Sequence, residues 1–205
     1  MMRPNCCGGS SAAHEAGTET EHDMSTATGG AAGVIVGKRA LHHMRAVLER
    51  ETGAQAALLL REIGFATGAG LWEAFEQWTR EHYHVDTPSS LDSVFLAEAL
   101  SGFFGEAGWG AVTMSELTPA VVALDMVQWA EVDAHGAEYP SCHFSSGMLA
   151  DFFTRMGGSQ AAVMEVECAS RGENRCRFLV GSPDMLTYVY ERMTTGMSYA
   201  QALSQ

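Results

Sequence analysis

Met164–Val180 reads MEVECASRGENRCRFLV: an apolar alternating run, a centre rich in turn-forming residues, then a second apolar run, the pattern of a hairpin whose strands begin near Gln160 and at Cys176. Within it, Glu165, Cys168 and Cys176 join the upstream Cys142 of Pro140-Ser141-Cys142-His143 at separations that suit one four-coordinate metal centre. Thiolate sulfur and carboxylate oxygen both suit zinc, and four protein ligands leave no open position, which describes a structural site rather than a catalytic one. The spacing lacks the paired Cys-x-x-Cys knuckles of most structural zinc sites; its one tight element is Glu-x-x-Cys, followed eight residues later by Cys. On spacing alone, the same residues read as well as small buried thiols and a strand glutamate facing water.

Side chains alternate faces along a strand, so residues three apart point oppositely and Glu165 and Cys168 cannot both be mid-strand ligands. The strand must end or bulge between them. Cys168 then belongs to the turn Ala169-Ser170-Arg171-Gly172-Glu173-Asn174, and Cys176 opens the returning strand.

The segment Cys142-His143-Phe144-Ser145-Ser146-Gly147-Met148-Leu149, with Glu165-x-x-Cys168 and Cys176-Arg177-Phe178, resembles the 4-vinyl reductase domain family. That family includes the sensor domains of phenol- and xylene-responsive bacterial regulators and is similar to small subunits of the TRAPP vesicle-tethering complex. The resemblance extends more loosely back to about Lys38. It implies a zinc ion held by Cys142, Glu165, Cys168 and Cys176, with a role in fixing tertiary structure. It also implies a small hydrophobic or aromatic molecule bound under helices beside a sheet. Phe103, Phe104, Trp109, Trp129, Phe144 and Met148 are suitable lining, although each is equally at home in a packed core. Trp129 matches a Trp that the sensor members place on the strand before the first cysteine. His135 and His143 are the candidate polar handles, His143 alternatively orienting the centre by a hydrogen bond.

Two other functions follow from the same resemblance: an accessory in 8-vinyl reduction of a tetrapyrrole, and a TRAPP-like interaction module. Independent catalysis is disfavoured, because no dinucleotide fingerprint, iron–sulfur cysteine set or flavin motif supplies an electron donor. The expected assembly is a homodimer that passes its signal to a separate output protein.

The chain has 205 residues, of which 46% are hydrophobic, enough for one domain with a sizeable core. Twelve Lys and Arg against twenty-five acids give a net charge of -13, which excludes direct binding to nucleic acid or an anionic membrane. Neither a transmembrane run nor a signal peptide is evident. With five cysteines, an odd number, this points to a cytoplasmic protein with reduced thiols. Residues 1–33, built from Gly, Ala, Ser, Thr and Glu, are expected to be a disordered leader before a domain spanning 34–205. Cys6, Cys7, His14 and His22 fall in that leader, and Met24 is an alternative start.

Elsewhere, periodicity predicts a helix from Lys38 to Gly53 with Leu41, Met44, Val47 and Leu48 inward and Arg39, Arg45 and Glu49 outward, His42 and His43 being solvated. A second helix is expected from Ala54 to about Trp78, striped by Leu60, Ile63, Leu71, Phe75 and Trp78. Its Gly64, Gly68 and Gly70 mark close backbone approach. His82 and His84 belong to a surface loop before Pro88. Ser89 or Ser90 caps a third helix carrying Leu91, Val94, Phe95, Leu100, Phe103 and Phe104. Trp109 to Leu117 and Val121 to Trp129 form a hairpin around Thr118-Pro119. Phe144, Met148, Phe152 and Met156 mark a helix ended by Gly157-Gly158, and Ser182-Pro183-Asp184 starts a terminal helix with Met185, Leu186, Val189 and Met193 inward. The sum is an α+β domain: an antiparallel sheet of about four strands covered by helices.

Overall fold

The computed structural model describes residues 36–133 and 136–205. The expected leader, with Cys6, Cys7, His14, His22 and Met24, and the candidate handle His135 lie outside the described residues. Helices α1 (Lys38–Thr52), α2 (Ala56–Tyr83) and α3 (Ser93–Glu106) precede strands β1 (Ala111–Thr118) and β2 (Val121–Val127). Then come α4 (His143–Gly157), β3 (Ala162–Glu167), β4 (Cys176–Gly181), α5 (Pro183–Thr194) and α6 (Tyr199–Leu203). The four strands form one antiparallel sheet in the order β1-β2-β4-β3. The fold is therefore α+β, with the two expected hairpins joined through their second strands.

Period-two alternation in β2 and β4 sorts side chains to two apolar layers. Leu124, Met126, Phe178 and Val180 face the larger core under α2, α3 and α4, where Phe75, Phe104 and Phe152 are fully buried. Val121, Ala123 and Leu179 face the opposite side, where Leu186 and Val189 of α5 and Ala202 of α6 cover them. α5 begins as its sequence predicts, Ser182 Oγ accepting the Met185 N–H at 3.3 Å with Pro183 in the first turn. The short α6 was not anticipated. It is held by a polar network in which Arg177 donates to both carboxylate oxygens of Asp125 at 2.6 and 2.7 Å and to Tyr199 Oη at 2.8 Å, while Tyr199 donates to Glu167 at 2.7 Å.

α2 and α4 cross in direct backbone contact. A Cβ built on Gly64 would collide with the carbonyl of Phe144, and one on Gly147 with the carbonyl of Arg61. Gly68 similarly abuts Asp151, so two of the three α2 glycines mark close approach; Gly70 meets nothing within 4 Å.

Several expectations are corrected. Arg45, placed outward by periodicity, is the one buried residue of α1, at 6% exposure, paired with Asp133 and donating to Ser141 Oγ at 3.2 Å. His42 is half-buried and donates to the Ala130 carbonyl at 3.2 Å. The cap of α3 is Asp92, whose Oδ1 accepts the N–H groups of Val94 and Phe95 at 3.0 and 2.9 Å; Ser89 and Ser90 lie in a 3-10 turn before it. Leu91 precedes that helix, and Val94 is 78% exposed. Ile63 is exposed too. α2 continues to Tyr83, so His82 stacks on Trp78 in its last turn and His84 ends it in the left-handed conformation. β2 stops at Val127, and Gln128, with φ of 55°, turns Trp129 out of the strand direction. No helix of the described residues is long and apolar enough to cross a membrane.

Candidate metal centre

The strand β3 reaches the centre through a bulge. Glu165 pairs with Phe178 of β4 and Glu167 with the adjacent Arg177, so three residues of β3 oppose two of β4. The extra residue shifts the alternation by one. Glu165 and Cys168, three apart, thereby face the same side, and Glu167 is free for the polar network on the other. Cys168 follows the last strand residue and precedes the 3-10 turn Ala169–Arg171, while Cys176 opens β4. Cys142 stands just before the first residue of α4 with no side-chain cap, leaving its sulfur to the centre.

One ligand atom from each of Cys142, Glu165, Cys168 and Cys176 lies within 4.8 Å of all the others, and the three cysteines are fully buried and free. Cys142 Sγ is 4.0 Å from Cys168 Sγ and 3.7 Å from Cys176 Sγ. Tetrahedral thiolate bonds of about 2.3 Å put two sulfurs about 3.8 Å apart. Glu165 Oε2 accepts the Cys142 N–H at 2.9 Å, but its Oε1 is buried without a hydrogen-bond partner. A buried, unpaired carboxylate oxygen is costly, and a cation beside it removes the cost. The cluster can therefore hold a metal ion.

The surrounding contacts orient these atoms. The Ala169 N–H points at Cys176 Sγ at 3.4 Å, Ser141 Oγ lies 3.9 Å from Cys168 Sγ, and the Cys168 N–H donates to Glu173 at 2.6 Å. Ser170 joins the turn to the segment before Cys142, its Oγ accepting the Asp133 N–H at 3.0 Å and its carbonyl the Ala137 N–H at 2.7 Å.

Without a cation the four groups share very little charge. Hydrogen bonds from Cys142 and Cys176 pull Cys168 far down, making it the thiolate. The same bond to Cys168, then that to Cys176 and burial, push the Cys142 thiol far up. For Cys176, the bond from Cys142 favours its thiolate, but Cys168 and burial outweigh it and the thiol is pushed up. Burial first, then the Cys168 charge, lifts Glu165 to about 8. A divalent ion inverts this order, since its charge favours every ligand in its ionised form. His143 is half-buried beside the centre, and burial, then Arg61 and Arg45, lowers it to about 4, so its ring is neutral.

A cavity of about 820 Å³ opens on the same helix, two turns along. Of the residues singled out in the sequence, Phe103, Trp109, Phe144 and Met148 line it. Phe104 and Trp129 stand in the layer behind, their ring centroids 5.6 Å apart, with Trp129 Nε1 donating to Ser145 Oγ at 2.7 Å. Leu41 and Met44 of α1 and Leu71 of α2 also line it and were missed, although the spacing of Leu41 and Met44 had placed them on one face. Sequence reading missed Glu131 as well, for a carboxylate in a loop carries no signal. It is 4% exposed and caps α4 from outside, accepting Phe144 N–H at 3.0 Å, Ser145 N–H at 2.7 Å and Ser145 Oγ at 2.5 Å.

The family model of the 4-vinyl reductase domain matches residues 126–182, the stretch that contains all four members of the cluster. Among solved structures, the chain is similar to the phenol-responsive sensory domain of the transcription activator PoxR with phenol, at 20% identity and TM-score 0.57 over 73% of this chain and 76% of that one. It is also similar to trafficking protein particle complex subunit 3 from Naegleria fowleri covalently bound to palmitic acid, at 12% identity and TM-score 0.51 over 70% and 93%. A vinyl-4-reductase family protein from Methanocaldococcus jannaschii aligns at 20% identity and TM-score 0.34 over 69% and 91%. The search of curated proteins gives no match. The likeness to the first two structures is one of fold. The family expected from the Cys142–Phe178 motifs is the one whose domain model matches here.

Proposed function

We propose that this chain is a zinc-stapled, cytoplasmic ligand-binding domain that holds a small hydrophobic or aromatic molecule in the cavity beside α4, as a sensor or carrier. The observation that carries the metal half is Glu165 Oε1, buried, unpartnered and surrounded by three buried sulfurs. Zinc suits this donor set, and in its site the ion would neutralise the ligand charges and tie the β3–β4 turn to the start of α4. Cys142, Glu165, Cys168 and Cys176 would hold it. The ligand half rests on the apolar cavity and on the likeness of fold to a sensory domain solved with phenol. Phe103, Trp109, Phe144 and Met148 would contact the ligand, with Phe104 and Trp129 supporting them.

Homodimerisation or docking on a larger assembly is a second reading. It is favoured by Leu58 and Phe65, exposed at 69% and 48% and seven residues apart on one face of α2.

Metal analysis of the purified protein tests the proposal. The expected content is about one zinc per chain, lost together with thermal stability in Cys168→Ser or Cys176→Ser. A metal-free preparation that melts as cooperatively and as high as the native one would refute it. Native mass spectrometry of the same sample reads subunit number and any retained small molecule.

A further inference from the structure

We infer that the cavity selects a bulky hydrophobic molecule without a negative charge, well above a single phenol ring in size. This rests on the reading of the cavity as a ligand site and adds the class of ligand. Three observations converge on it.

The first is volume. Ligand sites span roughly 300–1,000 Å³, and those near the top of that range enclose drug-sized molecules. At about 820 Å³ this cavity lies near that top, and a one-ring occupant would leave most of it empty.

The second is the distribution of polarity. Phe103, Phe144 and Met148 form a buried apolar floor, and Leu41, Met44 and Leu71 form half-buried walls. The charged lining residues Lys38, Glu73 and Glu106, and Thr67 beside them, are all solvent-exposed and so belong to the rim. An occupant therefore meets apolar surface inside and finds charge only where it emerges. Leu41 and Met44 also belong to a helix whose one buried side chain is Arg45, so their apolar faces stand over the cavity rather than in a packed core. A large occupant covers them.

The third is charge. Glu73 and Glu106 oppose Lys38 at the rim, Glu106 already accepting Trp78 Nε1 at 2.8 Å, and the whole chain carries -13. An emerging carboxylate is repelled there, whereas a hydroxyl or an ammonium group is not.

The test uses the full metal-loaded chain and the neutral fluorescent probe N-phenyl-1-naphthylamine, competed by phenol, 1-hexadecanol and palmitate. The expected result is micromolar probe binding, displaced by hexadecanol at concentrations at least about a hundredfold lower than phenol and tenfold lower than palmitate. Leu71→Lys should abolish probe binding, and Glu73→Lys, at an exposed position, should raise palmitate affinity severalfold without changing that for hexadecanol. Phenol competing as well as hexadecanol, or palmitate doing so, would overturn the size or charge selection while leaving a ligand site in place. Failure of all four compounds to bind would overturn both this inference and the ligand-binding reading.

Discussion

Glu165 orients Cys142: its Oε2 accepts the backbone N–H of Cys142 at 2.9 Å across the gap between β3 and the start of α4, while Oε1 turns to the sulfurs. One candidate ligand is thus positioned by another. Glu165, at about 8 from burial and the Cys168 charge, and the raised Cys142 and Cys176 thiols all hold protons at pH 7 in the absence of a cation. Zinc must displace them. Zinc affinity should therefore rise steeply between pH 6 and 8, and calorimetry in buffers of different ionisation enthalpy should show release of more than one proton per zinc. The metal-free form should behave oppositely. Its folded Glu165 binds a proton that the unfolded chain gives up near 4.5, so its stability falls as the pH rises from about 4.5 through 8. Parallel pH profiles for the loaded and stripped protein would contradict this.

Glu131 makes a second pH prediction. Burial raises it to about 6 against the hydrogen bonds of Ser145 and Phe144, from an ordinary value of 4.5. A carboxyl raised on folding is protonated more readily in the native state, so its ionisation removes stability as the pH climbs from 4.5 past 6, by about 2 kcal/mol. Glu131→Gln should flatten that part of the stability–pH curve. It should also cost roughly 1–3 kcal/mol, because its amide nitrogen opposes one of the N–H donors, and Glu131→Ala should cost more. An unchanged slope in the Gln variant would show that another group titrates.

The α2–α4 crossing predicts contrasting alanine substitutions. Gly64→Ala or Gly147→Ala drives a methyl into a backbone carbonyl that cannot rotate away, so the helices must separate, at about 3 kcal/mol or more. Gly70→Ala, on the same helix with open space around it, should stabilise by about 0.5–1 kcal/mol. Denaturant titration of the three variants settles the ordering.

Arg45 anchors α1 through Asp133 and Ser141. Asp133→Asn leaves a buried guanidinium without its counter-charge and should destabilise by on the order of 3 kcal/mol, whereas Arg45→Met removes the charge itself and should cost less. Hydrogen exchange should quicken over residues 38–52 in Asp133→Asn. Slow, native-like exchange there would mean that apolar contacts hold α1.

Much of the sheet and its helices was legible because period-two and period-four patterns were unbroken: Phe144, Met148, Phe152 and Met156 are all buried as their spacing requires. The bulge was legible for a different reason, since Glu165 and Cys168 could share a side only if the alternation failed between them. What stayed hidden depends on contacts between distant residues. Nothing in the polarity of Arg45 announces that it is buried, because its partners lie 88 and 96 residues away. Asp92 displaced Ser89 and Ser90 as the cap of α3 because Pro88 drew the serines into a turn of their own. Half of the cavity wall was equally silent, for Leu41 and Met44 show the same apolar spacing whether they meet a core or a void.

The irregular pairing of Glu165–Glu167 also bears on how this molecule avoids its own kind. β3 is an outermost strand, with one row of amides and carbonyls unused by the sheet. An uninterrupted ribbon in that position invites a neighbouring molecule to add its own strand and begin a fibril. Here the extra residue warps the rim and carries Glu167 into its knot with Arg175 and Tyr199. The distortion that gathers the sulfur cluster on one side therefore leaves the sheet's margin a poor template for aggregation.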